Sequence, residues 1–159
     1  MTIRVGFGFD VHQLEAGRVF RLGGIAIPSD KGATGHSDAD VLIHALCDAL
    51  LGAAGLRDIG FHFPNTDPQW KGKDSKHFLT ETVRMLHAKG WRVGNVDCTV
   101  CLEQPKINPH IQAMQAVLAP LLQIPADGVS IKATTNEKLG YVGREEGVCA
   151  YAVVLIVKS

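Results

Sequence analysis

The stretch FGFDVHQ, residues 7–13, places an acid and an imidazole two residues apart where an apolar strand runs out. In extended backbone, residues i and i+2 project from the same face, so Asp10 and His12 point one way and Val11 the other, into the protein. Such a pair is a ligand pair or an ion pair. Further along, HSDADVLIHALCD (36–48) sets Asp40, His44 and Asp48 at intervals of four, on one helical stripe with Ser37. Val41, Leu42, Ala45, Leu46, Ala49 and Leu50 fill the opposite arc, which leaves His44 on the edge that looks away from the core. Two imidazoles and a carboxylate suit a catalytic zinc ion, which takes three protein ligands and keeps a fourth position for water or substrate. His36, His44, Asp38 and Asp40 all qualify as the third ligand, and a solvated acidic face carrying a satisfied histidine is the plain alternative for this helix.

Two further polar concentrations follow. DIGFHFPNTDP (58–68) is a turn-rich loop too polar for a core. KATTNEKLGYVGREEG (132–147) leaves a strand with hydroxyls, glycines, an acid and an arginine, a mix that fits an anion or phosphate cradle better than a plain hairpin connection. GFGFDV is not a dinucleotide fingerprint, because Val11 stands where the third glycine is required, and neither a Walker-type GK[ST] nor a GxSxG elbow occurs.

These residues must be positioned by a chain of 159 residues, 46% hydrophobic and 20% charged, which suits one soluble globular domain over residues 1–159. Sixteen basic and sixteen acidic side chains cancel, so no global field steers the chain toward nucleic acid or an anionic membrane, and an anionic ligand must be handled locally. There is no leader-like start and no run long enough to span a bilayer, and the expectation is a cytoplasmic protein. Cys47, Cys98, Cys101 and Cys149 are scattered through apolar stretches and read as small buried hydrophobes rather than a disulfide framework or a redox pair. Strands are expected at Ile3–Phe9, Val19–Leu22, Val96–Leu102, Val129–Ala133 and Val148–Val157. Helices are expected over Ser37–Ala54, with Ser37 and Asp40 in capping-box register, over about Asp74–Lys89, and over about Pro109–Leu122, where Pro120 weakens the last turn. The fold class is α/β, α+β-like: a mixed β-sheet with helices packed on one face. The nearly all-apolar last strand implies burial on both faces, by helices or by another subunit.

GFDVH, HSDADVLIHALCDALLGA, DIGFHFPNTDP and KATTNEKLG together resemble, in order and spacing along the whole chain, the 2-C-methyl-D-erythritol 2,4-cyclodiphosphate synthase family of the non-mevalonate isoprenoid pathway. The resemblance implies a metal-dependent lyase that converts 4-diphosphocytidyl-2-C-methyl-D-erythritol 2-phosphate to the cyclic diphosphate and CMP, by attack of the substrate's own 2-phosphate on its β-phosphorus. It implies Asp10, His12 and His44 as zinc ligands and Glu137 as the holder of a magnesium or manganese ion that bridges substrate phosphates. It implies that His36 and Thr135 help to stabilise the transition state, with Ser37 beside the phosphates. Asp58, Ile59, Gly60, Phe63, Pro64, Asn65, Thr66 and Asp67 match the segment that binds the methylerythritol part. Leu102, Glu103, Gln104, Pro105, Lys106, Ile107 and Asn108, completed by Thr134, Thr135, Asn136 and Glu137, match the cytidine segment, and Asp48 matches a carboxylate suited to orienting a ligand histidine. The family is a homotrimer around a threefold axis with active sites between subunits, and near Tyr141, Arg144 and Glu146 its axial channel can hold an isoprenoid diphosphate.

Three positions depart from the usual family motifs: Asn65 replaces the acid of FPDTD, Asn136 the third threonine of TTTE, and Tyr141 a common phenylalanine. None is an implied metal ligand. Asn65 and Asn136 would alter substrate hydrogen bonding, and Tyr141 would make the axial channel more polar. The competing readings are a zinc-dependent phosphohydrolase on the same ligands and a non-catalytic trimer that binds isoprenoid diphosphates.

Overall fold

A computed structural model describes residues 2–158. Its elements are β1 (Thr2–Ala16), β2 (Phe20–Leu22), β3 (Ile25–Ile27), β4 (Lys31–Thr34), α1 (Val41–Ala53), α2 (Ile59–His62), α3 (Ser75–Ala88), β5 (Trp91–Cys101), α4 (Ile111–Leu122), β6 (Val129–Thr134), α5 (Gly140–Gly143) and β7 (Gly147–Lys158). Five strands form one mixed sheet in the order β4-β1-β7-β5-β6, with β5 and β6 parallel and the other neighbours antiparallel; β2 and β3 pair separately. Helices α1, α3 and α4 cover one face of the sheet. No helix of the structure is long and apolar enough to cross a membrane.

β1 decides which side is which. Its even-numbered residues Gly6, Gly8, Asp10, His12 and Leu14 turn toward the helices, while Ile3, Val5, Phe7, Phe9 and Val11 lie exposed on the other face. This corrects the expectation for Val11: the acid–imidazole pair faces the helix layer, and Val11 lies on the uncovered side. β7 behaves alike, with Val148, Ala150, Ala152, Val154 and Ile156 buried and Tyr151 and Val153 exposed. Its apolar composition reflects one helix-covered face and one apolar face left open within the chain.

α1 reaches the strands unusually closely, because Gly6 and Gly8 present no side chain. A Cβ on Gly6 would stand 1.9 Å from the carbonyl oxygen of Ala49, and one on Gly8 2.0 Å from that of Ala45. Ala45 and Ala49 are the small partners on the helix, and both are fully buried. α1 itself is buried almost all round, since α3 packs on its other side. The stripe carrying His44 and Asp48 is half-buried, and His44, with its side chain 12% exposed, faces a cavity rather than open solvent.

The helix begins at Val41 rather than near Ser37. Its N-cap is Asp40, which accepts from Ile43 N–H at 3.1 Å and also from Gly23 and Gly24 N–H at 3.0 and 2.7 Å. One fully buried carboxylate thus caps the start of a helix and anchors the β2–β3 turn, in place of the expected capping box. The α3 and α4 expectations hold within two residues of their starts. The strands β3 and β4 and the four-residue helices α2 and α5 lie in stretches too short for periodicity to mark. All four cysteines are buried and free, and burial pushes the thiols of Cys47 and Cys98 up to about 12.

We expect Gly8→Ala to drive its methyl into the Ala45 carbonyl and destabilise the chain by about 2 kcal/mol or more, lowering Tm by roughly 4–8 °C. Gly52, also in α1, has nothing within 4 Å of a built Cβ. There Gly52→Ala should raise stability by about 0.5–1 kcal/mol, and thermal unfolding of the two variants side by side checks both signs.

Candidate active site

Seating α1 on β1 brings His44 over the strand end. His44 Nδ1 lies 3.1 Å from Asp10 Oδ2 and 3.1 Å from His12 Nε2, and His12 Nε2 lies 3.0 Å from Asp10 Oδ2. Three donor atoms so placed form a nearly equilateral triangle. A tetrahedral zinc ion with bonds of 2.0–2.1 Å separates its ligand atoms by about 3.3 Å, so the triangle matches one face of such a site after a small outward adjustment. Among the described residues these three are the one cluster of His, Cys, Asp and Glu with donor atoms close enough to share a metal. Of the four candidates for the third position, only His44 joins it: Asp40 is the helix cap, Asp38 binds Ser75, and His36 Nε2 donates to the Asp67 carbonyl at 3.2 Å.

The electrostatics of the triangle favour a cation. Burial raises the Asp10 carboxyl, but hydrogen bonds and positive charge from His12 and His44 outweigh it and hold the group at about 2. Burial likewise works against charging His44, and the hydrogen bond and charge of Asp10 overcome it and raise the imidazole above its usual value. An anion held between two imidazoles is ready for a metal once the rings are neutral.

The triangle opens onto a cavity of about 390 Å³. His12, His36, Ser37 and His44 line one side, and Ile59, Gly60, Phe63, Pro64, Asn65 and Thr66 the other. Asp58 and Asp67 flank that second segment as the N-caps of α2 and of the short turn at Pro68–Trp70. Asp48 accepts from Ile59 N–H at 2.7 Å and so ties the segment to α1. This differs from the expected role: the Asp48 carboxylate is spent on a backbone amide, and the groups within hydrogen-bond reach of the His44 Nε2 are Ser75 Oγ at 2.8 Å and Ser37 Oγ at 3.1 Å.

The rest of the expected site lies elsewhere on the chain. Leu102, Pro105, Lys106, Ile107 and Asn108 line a second, smaller cavity of about 130 Å³ together with Ala133, Thr134 and Thr135. The parallel pairing of β5 and β6 brings these two segments together, and Leu102 N–H donates to the Thr134 carbonyl at 2.9 Å. Glu103 then accepts from Asn136 and Lys138 N–H at 2.9 and 3.3 Å, which holds the turn where Glu137 and Lys138 take positive φ. Glu137 itself is exposed, with its N–H donating to Thr135 Oγ1 at 3.3 Å; Gln104 lines a groove beside Lys31. Tyr141, at α5, borders a shallow pocket with Val11, His12 and Glu146, and Arg144 pairs with Glu146 at 2.8 and 3.2 Å.

Four residues at the first cavity escaped the sequence reading in these roles. Trp70 and Phe78 wall it, with ring centroids 5.7 Å apart, and both pack on Phe63. Phe78 reads as core from helical spacing alone, and Trp70 carried no pattern. Ser75 and Asp38 stand behind His44; the serine is the first residue of a helix more than thirty positions later, and no local signal connects the two.

The chain matches the YgbB family over residues 3–157. It is 65% identical over 158 residues to the 2-C-methyl-D-erythritol 2,4-cyclodiphosphate synthase of Cytophaga hutchinsonii, with 99% of each chain covered. It is 62% identical over 159 residues to the synthase of the same name from Phocaeicola vulgatus, with 100% of this chain and 99% of the relative covered. Among solved structures, a 2C-methyl-D-erythritol-2,4-cyclodiphosphate synthase in its CDP-bound form superimposes with a TM-score of 0.90 at 43% identity, covering 97% of this chain and all of that one. The IspF–CDP complex of Plasmodium falciparum gives a TM-score of 0.87 at 31% identity, covering 99% of this chain and 97% of that one. The chain belongs to the YgbB family, with the 2-C-methyl-D-erythritol 2,4-cyclodiphosphate synthases that it matches from end to end.

Proposed function

We propose that the chain, acting as one domain over residues 1–159, is a cyclising phosphorus–oxygen lyase of isoprenoid precursor biosynthesis. It converts 4-diphosphocytidyl-2-C-methyl-D-erythritol 2-phosphate to 2-C-methyl-D-erythritol 2,4-cyclodiphosphate and CMP. The observation that carries this reading is the Asp10–His12–His44 triangle at the mouth of the 390 Å³ cavity, in a chain that matches the named synthases over its full length.

An oxygen of the substrate's 2-phosphate forms a bond to the β-phosphorus, the bond from that phosphorus to the α–β bridging oxygen breaks, and CMP leaves. An existing anion is the nucleophile, so the protein's task is to position the reacting groups and neutralise charge. Asp10, His12 and His44 would hold zinc and Glu137 a magnesium or manganese ion, and these ions, when bound, supply Lewis acidity and charge neutralisation at the β- and α-phosphates. His36, pinned through Nε2 to the Asp67 carbonyl, keeps its ring on the cavity wall beside the reacting phosphates, with the Ser37 hydroxyl next to it. The Ile59–Gly60 backbone and Phe63–Thr66 enclose the methylerythritol part. Leu102–Asn108 and Thr134–Asn136 hold cytidine and its phosphate, and the Thr135 hydroxyl, beside Glu137 in the structure, would help to stabilise the charge that develops in the transition state.

The two cavities are separate within one chain, and a homotrimer would combine the metal half of one subunit with the cytidine half of the next. Supporting this, the face of β1 and β7 away from the helices exposes Ile3, Val5, Phe7, Phe9, Val11, Tyr151 and Val153. Such an apolar surface is costly in water and is stabilised by association. In that assembly Tyr141 and Arg144 lie toward the axis, and an isoprenoid diphosphate entering there has to compete with Glu146 for the Arg144 guanidinium.

Phosphorus NMR of the purified protein with the diphosphocytidyl substrate, zinc and magnesium tests the reaction. We expect coupled cyclic-diphosphate resonances and free CMP from the wild type, and a loss of at least about a thousandfold in rate for His44→Ala. Linear phosphates carrying oxygen from solvent water would replace cyclisation by hydrolysis. Asp48→Ala should free the Ile59 segment and raise KM roughly tenfold or more while leaving zinc stoichiometry at one per chain, because the carboxylate reaches Ile59 N–H and not the metal residues.

In the metal-free chain the raised His44 contributes stability that is fully present below its usual 6.5 and is lost as pH rises through its raised value. The depressed Asp10 contributes stability present above 3.8 and lost as pH falls toward about 2. Metal-free stabilisation from this cluster is therefore greatest between 3.8 and 6.5. Zinc must displace the His44 proton, so the zinc-induced rise in Tm should grow as pH rises toward the raised His44 value and level off beyond it. A zinc effect that is flat with pH would show that His44 is not a ligand.

A further inference from the structure

His44 has two ring nitrogens, and only one faces the triangle. With Nδ1 turned to Asp10 and His12, a metal bound there takes the Nδ1 lone pair, so the ring's proton must sit on Nε2 and requires an acceptor. Ser75 Oγ is 2.8 Å from Nε2 and Ser37 Oγ 3.1 Å. The two hydroxyls differ in freedom. Ser75 is completely buried, whereas Ser37 is half-buried and lines the substrate cavity. Ser75 Oγ also makes a short hydrogen bond to Asp38 Oδ1, and Ser75 N–H donates to Asp38 Oδ2 at 2.9 Å. An ionised carboxylate can only accept, so the hydroxyl proton points at Asp38 and the serine oxygen is left with lone pairs toward the imidazole. Asp38 is fixed in turn: its Oδ1 accepts Asp40 N–H at 3.2 Å, and its own N–H donates to the Lys73 carbonyl at 3.2 Å.

We infer that Ser75 and Asp38 are positioning residues of the metal site: Asp38 orients the Ser75 hydroxyl, and that hydroxyl holds His44 in the Nε2–H form with Nδ1 presented to the metal. The inference rests on the metal reading above and adds to it a chain of hydrogen bonds from a carboxylate through a hydroxyl to a ligand imidazole, built from the loop before α1 and the first residue of α3. Outer partners of this kind both set the ring's orientation and raise its basicity, and their loss typically weakens metal binding 10–100-fold.

Zinc affinity of the full chain, measured by competition with a chromophoric chelator, tests the inference together with the visible absorption of the cobalt(II)-loaded protein and the Tm of the metal-free protein. For Ser75→Ala we expect zinc affinity to fall roughly 10–100-fold, the cobalt absorption bands to shift, and the metal-free Tm to change little. Asp38→Asn added to Ser75→Ala should weaken zinc binding by much less than the product of the two single effects, because both act through one hydrogen bond. Zinc affinity of Ser75→Ala within about twofold of wild type, against the 10–100-fold expectation, would overturn the inference. So would an unchanged cobalt spectrum accompanied by a collapse of the metal-free Tm, which would make Ser75 a folding residue only. A larger loss for Ser37→Ala than for Ser75→Ala would give the acceptor role to Ser37. Wild-type protein that binds no zinc would instead fail the metal reading itself and remove the premise of the relay.

Discussion

Helix α1 can carry His44 down to the sheet only because β1 has no side chains at Gly6 and Gly8. The helix carbonyls of Ala45 and Ala49 occupy the space where Cβ atoms would stand. His44 is the residue beside Ala45, so the same close seat sets its distance to Asp10 and His12. Close-packed backbones do not deform smoothly. A methyl group at this contact is therefore felt both as lost stability and as an imidazole moved away from Asp10 and His12.

Three carboxylates, Asp40 fully buried and Asp38 and Asp48 half-buried, organise the ground around that contact. Asp40 satisfies three backbone N–H groups from two segments, Asp38 holds both the amide and the hydroxyl of Ser75, and Asp48 holds Ile59. Burial pushes the Asp40 and Asp48 carboxyls up, and without their hydrogen bonds such groups would be strongly unfavourable inside a protein. Each therefore specifies the position of the segment it binds. The loop before α1, the 58–60 segment and the start of α3 all converge on His44 or on the cavity beside it through these acids.

The Asp10–His12–His44 triangle and the cavity it opens onto are built within one stretch of the chain. The triangle, its supporting serines and the cavity wall all come from residues 10–78, while the 102–108 and 134–138 segments meet at the other edge of the sheet. The exposed apolar residues of β1 and β7 lie on the face that no helix of this chain covers. Within one chain these two groups of residues stay apart, and the apolar face is the part of the surface that burial would stabilise most.

What the sequence determined alone was largely local. Alternation along β1 places Asp10 and His12 on one face, helical spacing finds α1, α3 and α4 to within a few residues, and scattered cysteines in apolar runs are buried thiols. Four motifs in register also carried the family. Tertiary structure alone decided which face of β1 is inside, because period-two alternation names two faces without saying which one a helix will cover. It decided that His44 looks inward, since whether a helix is buried on one side or all round depends on what α3 does later in the chain. It also decided the partners of the acids: Asp48 with Ile59 and Asp38 with Ser75 are meetings across 11 and 37 positions. No local periodicity encodes such pairs, and only the packing of β1, α1 and α3 brings them within hydrogen-bond distance.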